Sequence, residues 1–127
     1  MDFKNNKTIF LQIAERICDE ILLEKYKPDE RIPSVREYAS IVEVNFNTVM
    51  RSFDYLQQTE IIFNKRGIGY FVSPDAKRKI LAMRKTEFLE NEIYDYFRQI
   101  YLLDIPMEEI VGKYNEYVKQ QEKQANL

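Results

Sequence analysis

The chain has 127 residues, 45% of them hydrophobic, with one cysteine, no histidine and a formal net charge of −2. That length suits one domain, or a small domain with an appendage, around a modest core. Without histidine the Ser-His-Asp and Cys-His nucleophile systems are excluded and the commonest metal ligand is missing, so no enzyme, cofactor or metal site is expected.

No apolar run nears the roughly 20 residues that cross a bilayer, and the opening MDFKNNK lacks the apolar stretch of a signal peptide, so a cytoplasmic location is expected. The 21 Asp and Glu are scattered along helical faces, with no pair marked out by spacing, and read as solvated surface.

From Thr8 to about Lys25, Ile9, Phe10, Ile13, Ile17 and Ile21 recur at three- and four-residue steps, which predicts an amphipathic helix ended by Pro28. Cys18 falls on the same stripe and reads as a small core hydrophobe rather than a reactive thiol. The loop KPDERIP leads to Ser34-Val-Arg-Glu37, an S-x-x-E capping box in which serine and glutamate each satisfy an amide of the other, and this opens a short helix to about Val42. Asn45 can cap the next helix, where Val49, Phe53 and Leu56 keep helical spacing to about Thr59. Two helices joined by about three residues have the layout of a helix-turn-helix.

The pattern then changes to IIF, NKRGIG and YFVS, two short strands around a glycine-bearing turn. Gly67 and Gly69 give that turn its backbone freedom, and Lys65 and Arg66 put two positive charges at its tip. Pro74, with Ser73 as cap, suits the first turn of a long helix striped by Leu89, Ile93, Phe97 and Ile100 and reaching Leu103. Asp104 and Ile105 interrupt it, and Pro106 restarts a helix with Glu108 and Glu109 at its positive end and a stripe of Ile110, Tyr114, Tyr117 and Val118.

Helix, helix-turn-helix and hairpin in that order make a winged helix, so the expected fold is mainly α with a small β-hairpin: a winged helix-turn-helix domain over 1–74, then a helical dimerisation segment over 75–127. A recognition helix enters the major groove by its amino-terminal end, which here reads Asn45, Phe46, Asn47, Thr48. Asn47 can pair with a base edge, adenine being the best geometric match, and Thr48 can bond a phosphate or touch a thymine methyl. Arg51, one turn on, can reach phosphate or guanine, with Arg36, Lys65 and Arg66 flanking. The acidity of the chain weighs against nucleic acid, since phosphate binding is largely electrostatic. Residues 1–74 carry 10 Lys or Arg against 11 Asp or Glu, and 75–127 carry 9 against 10, so any DNA surface must be locally concentrated.

Across 28–72, PDERIPSVREYA, VNFNTVMRSFDYL and GIGYFV closely resemble the DNA-binding domain of the GntR regulators, whose pattern runs approximately P-G-x-x-L-P-S-x-R-x-L-A, V-x-x-x-T-V-x-x-A and G-x-G-T-x-V. The resemblance implies that Arg36 and Thr48 contact DNA, with Asn45 and Asn47 at the start of the recognition helix and Gly67 in the wing. Asp29 stands in place of the usual loop glycine, Phe46 where many members have arginine, and Met50 and Ile68 where a basic residue is frequent. An aromatic at 46 either stacks on a thymine methyl or covers the adjoining core. The V-N-x-N-T-V form is also similar to the YtrA branch, whose short carboxy-terminal segment of about two helices matches the length of 75–127. That likeness implies a repressor beside membrane-transporter genes, with an unidentified signal.

Two helices scarcely enclose a ligand cavity, and their apolar stripes need a partner, either a second copy or the chain's own winged helix. The homodimer is the better reading, and it presents two recognition helices to a two-fold symmetric DNA operator. Lys77, Arg78, Lys79, Arg84 and Lys85 follow the wing, and some of them are expected to touch phosphate. An effector, if one binds, has the dimer interface as its economical place, lined by Tyr94, Tyr96, Tyr101, Tyr114 and Tyr117. The rival from another class is a winged helix that binds protein through exposed hydrophobics and uses no DNA.

Overall fold

Helix α1 (Ile9–Leu22) turns Ile13, Ala14, Ile17, Cys18 and Ile21 into one buried face, as its three- and four-residue spacing requires. This is the first element of a computed structural model that describes residues 7–126. Helix α2 (Val35–Val42) opens with the expected capping box: the Glu37 amide donates to Ser34 Oγ at 3.1 Å and the Ser34 amide to Glu37 Oε1 at 3.0 Å. Helix α3 (Phe46–Gln58) is capped by Asn45, whose Oδ1 accepts the Asn47 amide at 2.8 Å.

Between α2 and α3 the chain reverses at Glu43, which takes the left-handed conformation (φ 56°), and the Val44 amide closes the α2 terminus on the Ala39 carbonyl at 3.1 Å. Val49, Phe53 and Leu56 of α3 pack with the α1 face and with Tyr38 of α2 in one core, and Tyr38 and Tyr70 set their rings edge-on to Phe53 at 6.2 and 5.0 Å. Ser52, fully buried, is satisfied by main-chain carbonyls, donating to Phe10 at 2.7 Å, with Thr48 at 3.2 Å as the alternative acceptor.

Strands β1 (Ile62–Lys65) and β2 (Gly69–Val72) pair antiparallel, Ile62 opposite Val72, Phe63 opposite Phe71, Asn64 opposite Tyr70 and Lys65 opposite Gly69. Period-two alternation sends Ile62 and Val72 into the core and Phe63 with Phe71 to the outer face, where their rings stack at 5.7 Å. The loop before α2 runs alongside β2 and joins it through one isolated bridge, which the sequence pattern did not predict. Arg31 bridges Phe71, the Ile32 amide donates to the Tyr70 carbonyl and the Val72 amide to the Glu30 carbonyl, both at 2.9 Å.

Helix α4 (Ala76–Glu87) starts two residues beyond Pro74, after a turn in which the Ala76 amide donates to the Ser73 carbonyl at 3.1 Å. Ala76 and Ile80 are buried in the winged-helix core, so this compact unit extends to Arg84 rather than ending at 74. The second unit holds a π-helical turn (Phe88–Glu92), α5 (Ile93–Leu102) and α6 (Met107–Ala125), the last opening after Pro106 with Glu108 and Glu109 in its first turn. None of these three elements contains a buried residue. The fold is a winged helix-turn-helix followed by further helices.

Candidate nucleic-acid interface

The start of α3 exposes Phe46 and Asn47, because the buried positions of the helix are Val49, Ser52, Phe53 and Leu56 and the first turn falls off that stripe. Asn45 is exposed too, but its Oδ1 is occupied by the cap, which leaves the amide nitrogen as its outward donor. Asn47 has no such commitment, and its side-chain carbonyl and amino group are free to present an acceptor and a donor side by side, the pattern adenine offers in the major groove. Thr48 is half-buried. Phe46 is 46% exposed at the start of the helix.

Arg36 is the second residue of α2, exposed, and joined to no acid among the described residues. Helix α2 packs on α3, and α3 on β1, so Arg36, the α3 start and the hairpin belong to one rigid core. Arg51 is exposed on α3, with its guanidinium carbon 4.3 Å from the centre of the Phe10 ring of α1. Met50 is half-buried against the core.

At the wing tip the Ile68 amide donates to the Lys65 carbonyl at 2.9 Å, which closes a turn around Arg66 and Gly67; Gly67 takes φ 79° with open space around it. Arg66 is exposed there, and Ile68 is 58% exposed, an apolar side chain at the tip. The Lys65 ammonium lies 4.5 Å from the Phe71 ring centre and 5.8 Å from that of Phe63, its stem running along the two rings.

Four of the five cations of α4 are otherwise engaged. Lys77 pairs with Glu24 at 2.6 Å, Lys79 with Glu60 at 2.7 Å, Arg78 with Asp75 at 2.9 Å and Arg84 with Asp19 at 2.7 Å. Four of the five cations expected near phosphate are therefore held to acids of their own unit, and the positive field narrows to α2, α3 and the wing. Sequence reasoning missed Arg31, which its bridge to Phe71 brings beside Gly69; the sole hint was the glycine following Ile68, whose reason lies in a non-local neighbour.

Burial pushes the Cys18 thiol up to about 11, a protonated group within the core. The Tyr38 hydroxyl donates a hydrogen bond to Glu20, which also pairs with Lys25 at 3.0 Å, so this part-buried carboxylate braces α1 against α2.

A family model described as bacterial regulatory proteins, gntR family, matches residues 10–72, from the first turn of α1 to the end of β2. The crystal structure of a putative transcriptional regulator of the GntR family from Bacteroides thetaiotaomicron is 54% identical and superposes with a TM-score of 0.78, over 90% of this chain and 99% of that one. The HTH-type transcriptional repressor YtrA of Bacillus subtilis (strain 168) is 32% identical over 90 residues, 71% of this chain and 69% of the relative. YtrA from Sulfolobus acidocaldarius, a GntR-family transcription factor, is 30% identical with a TM-score of 0.53, over 71% of this chain and 95% of that one.

Proposed function

Since the chain belongs to the GntR family of bacterial regulatory proteins, and to its YtrA-like branch, we propose that it represses transcription by holding a two-fold symmetric operator as a homodimer in the cytoplasm. It is a DNA-binding transcriptional regulator. The observation that carries the reading is the capped start of α3, where Asn47 and Phe46 stand outward beside Thr48, on a core shared with Arg36 and the wing. Asn47 and Phe46 read base edges, while Arg36, Thr48, Arg51, Lys65 and Arg66 hold the backbone.

The dimer is supported by the second unit, whose α5 and α6 bury nothing although both carry apolar stripes. A helix with an unpartnered apolar face is stabilised by a second copy, and a two-fold pair doubles the reading surface. Repression is supported by the repressor role of the Bacillus subtilis relative. A transporter operon is the proposed target, and an effector, if present, binds among Tyr94, Tyr96, Tyr101, Tyr114 and Tyr117 at the dimer interface.

Selection of bound fragments from random duplex DNA with the purified protein tests this directly. The expected outcome is a palindromic motif whose affinity falls steeply with salt. No enrichment, and no retarded duplex at low salt, leaves a protein-interaction module in its place.

A further inference from the structure

We infer that Arg31 and Lys65 form a two-cation clamp on the outer face of the wing that grips one phosphodiester of the operator backbone, an inference resting on the DNA-binding reading above. Residues 29–32 pair with β2, and the bridge from Arg31 to Phe71 puts the Arg31 side chain on the face that Phe71 and Phe63 share. The guanidinium runs over Gly69: a Cβ built there meets Arg31 Nε at 2.8 Å and Cζ at 3.4 Å. Gly69 is the strand partner of Lys65, whose ammonium lies over the Phe71 and Phe63 rings on that same face. The two cations thus share one face, and a side chain at 69 would obstruct the Arg31 guanidinium.

The Phe71 and Phe63 rings hold the Lys65 ammonium, but no acid or ring among the described residues holds the Arg31 guanidinium over Gly69. Arg31 and Lys65 flank β2 from its two sides with their cations on the same face, and like charges sharing a face repel. No acid pairs with either group among the described residues, whereas Lys77, Lys79 and Arg84 are all paired. Glu37 feels the Arg31 charge, but its carboxylate is lowered first by the Ser34 amide and hydroxyl, and it is already the acceptor of the capping box. An anion between the two cations turns the repulsion into attraction. A phosphodiester fits the pair, since a planar guanidinium fork meets two phosphate oxygens and an ammonium adds a point charge. Arg31 stands in the loop that leads into α2, whose second residue is Arg36, and Lys65 ends β1 next to Arg66 of the wing tip, so the pair joins the cations of α2 to those of the wing.

The test is the salt dependence of operator binding by the full-length chain, read by fluorescence anisotropy between about 50 and about 200 mM salt for wild type, R31Q, K65Q and the double variant. Loss of one phosphate contact lowers the slope of log affinity against log salt by about 0.9 in the double variant, with each single change giving part of that. Base preference stays as in wild type. An R31Q and a K65Q protein that both bind with the wild-type slope overturn the clamp; if Arg36→Ala weakens binding in the same assay, the DNA-binding reading survives. Absence of binding by the wild type at low salt overturns both. Arg31 and Lys65 are exposed, so thermal melts coincident with wild type accompany each titration.

Discussion

The guanidinium of Arg51, midway along α3, rests 4.3 Å from the centre of the Phe10 ring in the first turn of α1. One side chain thereby serves the packing of the two helices and stands one turn from the capped start of α3. An exposed cation over a phenyl ring contributes roughly 0.5–1 kcal/mol. Arg51→Ala is therefore expected to lower unfolding free energy by that amount in a denaturant melt, and to reduce the salt slope of operator binding by about one unit if the guanidinium leaves the ring for a phosphate. An unchanged slope with reduced stability assigns Arg51 to packing alone.

Acid should loosen the winged helix through three exposed carboxylates. The Lys77 ammonium holds Glu24 below its ordinary 4.5, Arg78 holds Asp75 below its ordinary 3.8, and the Ser34 amide and hydroxyl hold Glu37 below 4.5. A carboxylate with a lowered folded-state pKa contributes stability that is complete above its unfolded value and lost as pH falls through the folded one. Melting temperature is expected to fall below about pH 4.5, and Lys77→Gln to flatten the fall by removing the Glu24 share. These groups are solvent-screened, so the effect of each is small. A Lys77→Gln melt that tracks wild type at every pH would contradict the linkage.

Five acidic residues occupy the left-handed region where glycine is the usual choice: Glu24, Asp29, Glu43, Glu60 and Asp104. Asp29 stands where the GntR pattern has glycine, and its φ of 65° is the reason for that preference. Asp29→Gly and Glu43→Gly are each expected to stabilise by up to about 1 kcal/mol, because the steric cost of a Cβ in this conformation is removed. Glu60→Gly should gain less, since it forfeits the Lys79 pair at 2.7 Å. Denaturant midpoints of the three variants check the ranking; a stabilisation by Glu60→Gly equal to the other two would show that its ion pair adds nothing.

What the sequence made legible was local. The S-x-x-E box at Ser34, the cap at Asn45 and the apolar spacing of α1 and α3 each concern residues within a turn of one another, where propensity and periodicity act. What it hid was non-local. Arg31 joins β2 through a single bridge, too short for any alternation to show, and Gly69 looks like a turn glycine until Arg31 is seen crossing it. Helix α4 sends only Ala76 and Ile80 into the core, too sparse a stripe to move a boundary drawn at 74. The candidate site divided in the same way: the α3 start followed from its cap, whereas the ion pairs that occupy Lys77, Lys79 and Arg84 join residues 19 to 65 positions apart.

Dimerisation gives the most direct test of the second unit. Phe97 is 42% exposed, with Tyr94 edge-on at 5.9 Å, and it shares the α5 stripe with Ile93 and Ile100. A carboxylate placed in a buried apolar interface must be desolvated without a partner, a cost that a two-helix contact cannot absorb. Phe97→Asp is expected to convert the protein to a monomer in light scattering and to weaken binding of the two-fold operator on the order of 10²-fold or more, because each half-site is then bound without the effective concentration that linkage supplies. Its affinity for a single half-site should stay that of one wild-type winged helix, since the core from Ile13 to Ile80 contains none of the altered residues. A Phe97→Asp protein that remains dimeric would move the interface off this stripe, and a monomer that binds the full operator as tightly as wild type would detach recognition from dimerisation.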